Sequence, residues 1–257
     1  MSKKSRKSRG NSNTNKDNVV HSMFDDPYAS KGKSSGWHPL DDEINAKRDK
    51  KFIKTIKPRS KGQEILMKAI QDHSLTLAIG PAGTGKTYLA ITAAVEALEK
   101  GEVERIILSR PAMEAGESLG YLPGDMHEKM APYLRPLYDA LGDRMGGKKV
   151  RQYIEEGVIE IAPVGFMRGR TLNNAYVVID EAQNCTYVQL KMLLSRLGWH
   201  STMIVTGDPE QTDLLPELSG LDKISKRLDA LKNVAVVKLD QKDIVRHPLV
   251  AEMLDVL

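Results

Sequence analysis

Long hydrophobic runs are missing from this chain of 257 residues. No apolar stretch approaches the ~18 residues that a membrane helix needs, so a membrane span is not expected. Cysteine is almost absent, Cys185 being the single one. An intrachain disulfide is therefore excluded, and a reducing, cytoplasmic location is expected. The histidines are scattered without zinc-type spacing. Aromatic residues make up 5% of the chain, with Phe occurring three times, so composition offers little for stacking nucleic-acid bases. The start, "MSKKSRKSRG", is charged but has no apolar segment behind it, so a secretory signal is not expected.

The formal net charge of +4 is unevenly spread. Residues 1–60 hold 15 Lys and Arg against 7 Asp and Glu, a balance of +8, and the remainder stands at −4. Residues 1–36 are rich in Lys, Ser, Asn and Gly. Such a segment buries too little apolar surface to offset its ordering entropy, so a disordered basic leader is expected. It would attract a polyanion first; a solubilising tail is the equal alternative. Residues 37–60 read as a linker that docks Trp37, Leu40, Ile44, Phe52 and Ile53 on the core. Residues 61–257 read as one domain.

In that domain short apolar strands alternate with helices. Strands are expected at 75–80, 103–109, 158–164, 175–180, 201–207 and 233–239. Helices are expected at 62–72, 86–101, 186–198, 218–231 and 248–257. This alternation predicts an α/β fold, a mainly parallel sheet flanked by helices on both faces. Ligands of such sheets bind at the carboxyl ends of the strands. Residues 110–157 contain no strand pattern; Gly and Pro punctuation is followed by a helical pattern, and the stretch reads as an excursion off the sheet edge.

"GPAGTGKT", residues 80–87, fits the phosphate-binding pattern G-x-x-x-x-G-K-[ST] between an expected strand and an expected helix. Gly80, Pro81, Ala82, Gly83, Thr84 and Gly85 would curl main-chain N–H groups around a β-phosphate, at a helix N-terminus that favours anions. Lys86 would reach the β- and γ-phosphates, and the Thr87 hydroxyl would ligate Mg²⁺. The expected ligands are ATP and Mg²⁺.

"VVIDEAQN", residues 177–184, ends an apolar strand in two acids. In P-loop proteins an Asp at such a strand end holds the metal beside the Ser or Thr, so Asp180 is the second expected metal residue. Glu181 is the expected general base for the attacking water. "VTGDPEQTD", residues 205–213, places Gly207, Asp208 and Gln211 at the next strand end. An amide there can sense a γ-phosphate, although "GDP" is also an ordinary turn sequence.

These three segments in order resemble the first, second and third motifs of superfamily 1 helicases. Together with "SRPAMEAGESLGYLPGD", "FMRGRTLNNAYVVIDEAQN" and "VRHPLV", they resemble the PhoH-like family of single-domain ATPases. The resemblance covers about residues 58–257. It implies a RecA-like P-loop NTPase core, ATP hydrolysis and a link to RNA, with single-stranded RNA or another nucleic acid as the expected partner. It also implies that Gln63 reads the adenine edge, and that Gln183 and Gln211 couple the γ-phosphate to motion.

Superfamily 1 helicases place ATP between two RecA-like domains and take an arginine from the second. With one P-loop here, a neighbouring subunit would have to supply it. The expectation is a head-to-tail homo-oligomeric ring, with a hexamer as the first candidate. Arg246 is the first choice for that arginine, with Arg168 and Arg170 next. A basic patch at Lys148, Lys149 and Arg151 is a candidate nucleic-acid contact. Two other readings stay open: a nucleotide-switched binding module with little turnover, and a P-loop kinase.

Overall fold

The computed structural model describes residues 56–111, 126–215 and 218–245, with the backbone alone for 126–132. The basic leader, the linker up to residue 55, Arg246 and the expected helix 248–257 lie outside the described residues.

All six expected strands form, and every pair is parallel. They are β1 (Leu75–Ile79), β2 (Arg105–Arg110), β3 (Ile159–Pro163), β4 (Ala175–Ile179), β5 (Thr202–Gly207) and β6 (Val234–Lys238). The order across the sheet is β3-β2-β4-β5-β1-β6. The helices are α1 (Lys61–Asp72), α2 (Lys86–Glu99), α3 (Met126–Met145), α4 (Gly147–Glu155), α5 (Tyr187–Leu194) and α6 (Leu221–Leu228).

Period-two alternation divides each strand between two cores. Ala78, Ile106, Leu108, Tyr176, Val178 and Ile204 face one side, where α1, α2, α3 and α4 pack. Leu77, Ile79, Ile107, Val177, Ile179, Met203 and Val205 face the other, where Leu190 and Leu193 of α5 and Leu221 and Ile224 of α6 close the layer. Both faces are covered, so the strands read as continuous apolar runs. Cys185 is fully buried in the second core, and burial pushes its thiol up to about 12. It is inert packing, not a nucleophile.

Residues 126–155 depart from the expected excursion. α3 and α4 belong to the first core: Leu137, Leu141 and Val150 are fully buried there. The expected helical pattern forms, but its apolar face completes the layer beside α2 instead of leaving the sheet. The structure does not describe 112–125.

Candidate active site at the carboxyl edge of the sheet

The loop after β1 turns sharply, and Gly80 shows why the residue must be glycine. Its φ is +149°, and a Cβ there would lie 2.4 Å from the main-chain oxygen of Leu239. Gly85 has φ +84° and immediately precedes α2, with no side-chain cap on that helix. The first N–H groups of a helix lack intrahelical partners. Here they open on a cavity of about 260 Å³ lined by Ala82, Gly83, Gly85, Lys86, Thr87, Asp180, Glu181 and Gln211, among others. The three expected motifs therefore meet at one place.

Lys86 is 8% exposed. Its ammonium donates to the main-chain oxygens of Gly80 at 2.6 Å and Pro81 at 2.7 Å, and to the Thr84 hydroxyl at 3.4 Å. Burial pushes its pKa below the ordinary lysine value, while the charges of Asp208, Glu181 and Asp180 pull it up. Such a poorly hydrated ammonium, held among oxygens, can exchange them for phosphate oxygens.

The Thr87 hydroxyl donates to Oδ1 of Asp180 at 2.6 Å. Thr206, at the end of β5, donates to the same oxygen at 2.6 Å. β5 lies between β1 and β4, so this hydroxyl bridges the gap that separates the P-loop from the acid-bearing strand. Nothing in the sequence singles Thr206 out. A hydroxyl and a carboxylate in contact are hard oxygen donors that suit Mg²⁺. Among the described residues no cluster of three or more His, Cys, Asp or Glu side chains forms a metal cage. A donor pair of this kind matches Mg²⁺, which is bound through one or two protein oxygens plus phosphates and waters.

Glu181 lies beside Asp180, in left-handed backbone at φ +54° and ψ +41°. Gln183 is 2% exposed. Its amide donates to Oε2 of Glu181 at 2.5 Å and to the Gln211 carbonyl at 3.3 Å, and accepts from Asp208 N at 3.1 Å. Asp208 in turn accepts from Ala82 N at 3.1 Å. The third segment is thus tied to both Glu181 and the P-loop. The Gln211 side chain is exposed at the cavity wall.

Gln63 is buried. Its amide donates to the Thr84 carbonyl at 2.9 Å and accepts from Arg59 N at 2.9 Å. One end props the P-loop and the other the start of α1, so contact with an adenine edge would require exchanging these bonds. Arg170 is engaged in a two-pronged pair with Glu160, at 2.5 and 2.7 Å. Arg168 is exposed, two residues from exposed Phe166. Lys149 pairs with Glu99 at 3.1 Å and sits over the Tyr153 ring. Glu99 ends α2, some thirteen residues or ~20 Å along the helix from the P-loop. The Lys148–Arg151 patch is therefore remote from the P-loop cavity. Arg110, which lies in the segment 109–125 but is assigned no role by its pattern, donates to Oε1 of Glu181 at 3.1 Å.

A larger cavity, about 340 Å³, lies between α1 and α2, lined by Asp72, His73, Glu96 and Glu102 among others. It holds none of the motif residues.

The family model described as "PhoH-like protein" matches residues 55–257. The PhoH-like protein of Bacillus subtilis (strain 168) is 53% identical over 203 residues, 79% of this chain and 64% of that protein. Protein PhoH of Escherichia coli (strain K12) is 44% identical over 209 residues, 80% of this chain and 59% of its own length. The chain thus spans under two thirds of either relative. Among solved structures, the large terminase of a thermophilic bacteriophage superposes with a TM-score of 0.51 at 13% identity, covering 77% of this chain and 50% of that one. This likeness is one of fold, the RecA-like P-loop core.

Proposed function

The chain belongs to the PhoH-like protein family, and from that premise and the site geometry we propose that it is a Mg²⁺-dependent ATPase. The carrying observation is the 2.6 Å contact of Thr87 with Asp180, with Glu181 lining the same cavity as the P-loop. Lys86 and the N-terminus of α2 hold the β- and γ-phosphates. Thr87 and Asp180 hold Mg²⁺, which neutralises charge on the phosphate oxygens. Glu181 takes a proton from the attacking water. Gln183 and Asp208 transmit the state of the γ-phosphate between the base and the P-loop.

The second part of the proposal is that turnover serves an RNA-linked motor or helicase, assembled as a cytoplasmic homo-oligomeric ring. Phe166 and Arg168 support it: an exposed ring and an exposed guanidinium follow β3 on the carboxyl edge, the side of the ATP cavity. Such pairs can stack bases and contact phosphates. No helix among the described residues is long and apolar enough to cross a membrane.

The test is phosphate release by protein of measured assembly mass, with and without Mg²⁺, single-stranded RNA and single-stranded DNA. Metal-dependent release stimulated by RNA is expected. Tight ATP binding without release, even with RNA, would favour the nucleotide-switched module instead. Transfer of phosphate to an acceptor would favour a kinase.

A further inference from the structure

Arg110 closes β2, whose neighbour is β4, the strand that delivers Asp180 and Glu181. Its side chain is 19% exposed, so its charge is partly shielded from water. The guanidinium joins two elements. Nη2 donates to Oε1 of Glu181 at 3.1 Å, and Nη1 donates to the main-chain carbonyl of Tyr133 in α3 at 2.9 Å. Nη1 also lies 3.9 Å from Oδ2 of Asp180. The other oxygen of Glu181 accepts from Gln183. Each carboxylate oxygen is thus met by a donor from a different element.

The backbone of Glu181 occupies the left-handed region at φ +54°. A non-glycine residue persists there only when its surroundings over-determine it. Asn184 N donates to the main-chain carbonyl of Glu181 at 3.0 Å, while Arg110 and Gln183 hold its carboxylate. Glu181 lines the nucleotide cavity and Arg110 does not. The guanidinium therefore acts on the carboxylate from outside the cavity.

We propose that Arg110 is a positioning residue for hydrolysis: it fixes the Glu181 carboxylate toward the nucleotide cavity and ties it to helix α3. The proposal rests on the reading of Glu181 as the base. A reacting group displaced by 1 Å can lose on the order of 100-fold in rate. Movement of α3 against the sheet would shift Arg110, and with it the base.

The test is steady-state and single-turnover ATPase on the full chain, with nucleotide affinity and thermal unfolding measured alongside. Arg110→Ala should lower kcat by roughly 10–100-fold, with KM and nucleotide affinity changed less than about two-fold. Arg110→Lys keeps the charge but not the two-pronged reach, and should recover part of the rate. Should Arg110→Ala fail to fold, Arg110→Lys and Arg110→Gln are read in the same way. In a Glu181→Gln background, Arg110→Ala should cause no further loss, because its effect passes through Glu181. An unchanged or higher kcat in Arg110→Ala, or an equal further loss in the Glu181→Gln background, would overturn the proposal. A wild-type chain that turns over through Glu181 while Arg110→Ala matches it removes this inference alone. A wild-type chain that never releases phosphate removes the ATPase reading and this inference together.

Discussion

The hydroxyl of Thr87 donates to Oδ1 of Asp180 at 2.6 Å across 93 positions of sequence. The two residues sit at the ends of different segments, one opening α2 and one closing β4, and β5 runs between their strands. That contact brings two motifs together into the proposed metal site. Asp180 is 3% exposed and accepts from Thr206 as well, so its position is set before any ligand arrives.

Asp180→Asn should therefore keep much of the shape while losing the charge that attracts the cation. The expected result is a Mg²⁺ requirement raised by at least roughly tenfold and a kcat reduced by a similar factor or more. Titrating phosphate release against Mg²⁺ checks this. An unchanged titration curve would remove Asp180 from the metal site.

Lys86 and Glu181 should fail in different ways. Lys86→Ala should weaken nucleotide binding and abolish turnover. Glu181→Gln should keep ATP bound and cut hydrolysis to a small residual single-turnover rate, because the amide preserves the shape but cannot take a proton. Equilibrium binding and single-turnover rates separate the two. Normal turnover by Glu181→Gln would end its assignment as base.

ATP affinity should depend on pH through Lys86. Burial lowers its pKa from the ordinary value of 10.5, and the nearby acids only partly restore it. A lowered lysine pKa means the neutral amine forms at lower pH. As pH rises, nucleotide affinity should begin to fall before 10.5 is reached. Lys86→Arg stays charged throughout and should lack this limb. Binding of a fluorescent ATP analogue across alkaline pH is the measurement.

Gln183→Ala should cost stability as well as rate. It strips the buried Asp208 N–H of its acceptor and Glu181 of a donor. Leaving one buried donor unsatisfied costs ~1–3 kcal/mol. A lowered unfolding midpoint with reduced kcat is expected. Unaltered stability would mean that water replaces the amide.

The ring proposal predicts recovery by mixing. If Arg246 acts across a subunit boundary, Arg246→Ala subunits should assemble and bind ATP but not hydrolyse it. Glu181→Gln subunits should be equally inactive alone. Co-assembly creates some interfaces with an intact Glu181 opposite an intact Arg246, and those should regain activity. No recovery at any mixing ratio, with co-assembly proven by mass, counts against Arg246. Full activity in a verified monomer would end the shared-site idea.

Much of this site can be read from local pattern. The P-loop is legible because its residues are consecutive: Gly80 and Gly85 answer backbone demands within one turn, and Lys86 and Thr87 open the helix that follows. Asp180 and Glu181 are legible because two acids after "VVI" stand out at the end of a buried strand. The six strands are legible because a strand covered on both faces must be apolar throughout. Arg170 and Gln63 show the limit. A sequence names the guanidinium and the amide, but not that Glu160 engages the first or that Thr84 engages the second.

The sequence by itself thus determined the strands, the parallel α/β class, the phosphate loop and the acid pair, since each depends on neighbours within a few positions. Only the tertiary structure decided the rest. It placed β5 between β1 and β4, so that Thr206 reaches Asp180. It folded α3 into the core instead of off the edge. It brought Arg110, 71 positions from Glu181, within 3.1 Å of that carboxylate. These are consequences of strand order and layer packing. Both are settled by which buried surfaces fit together over the whole chain, and no short stretch of residues records that fit.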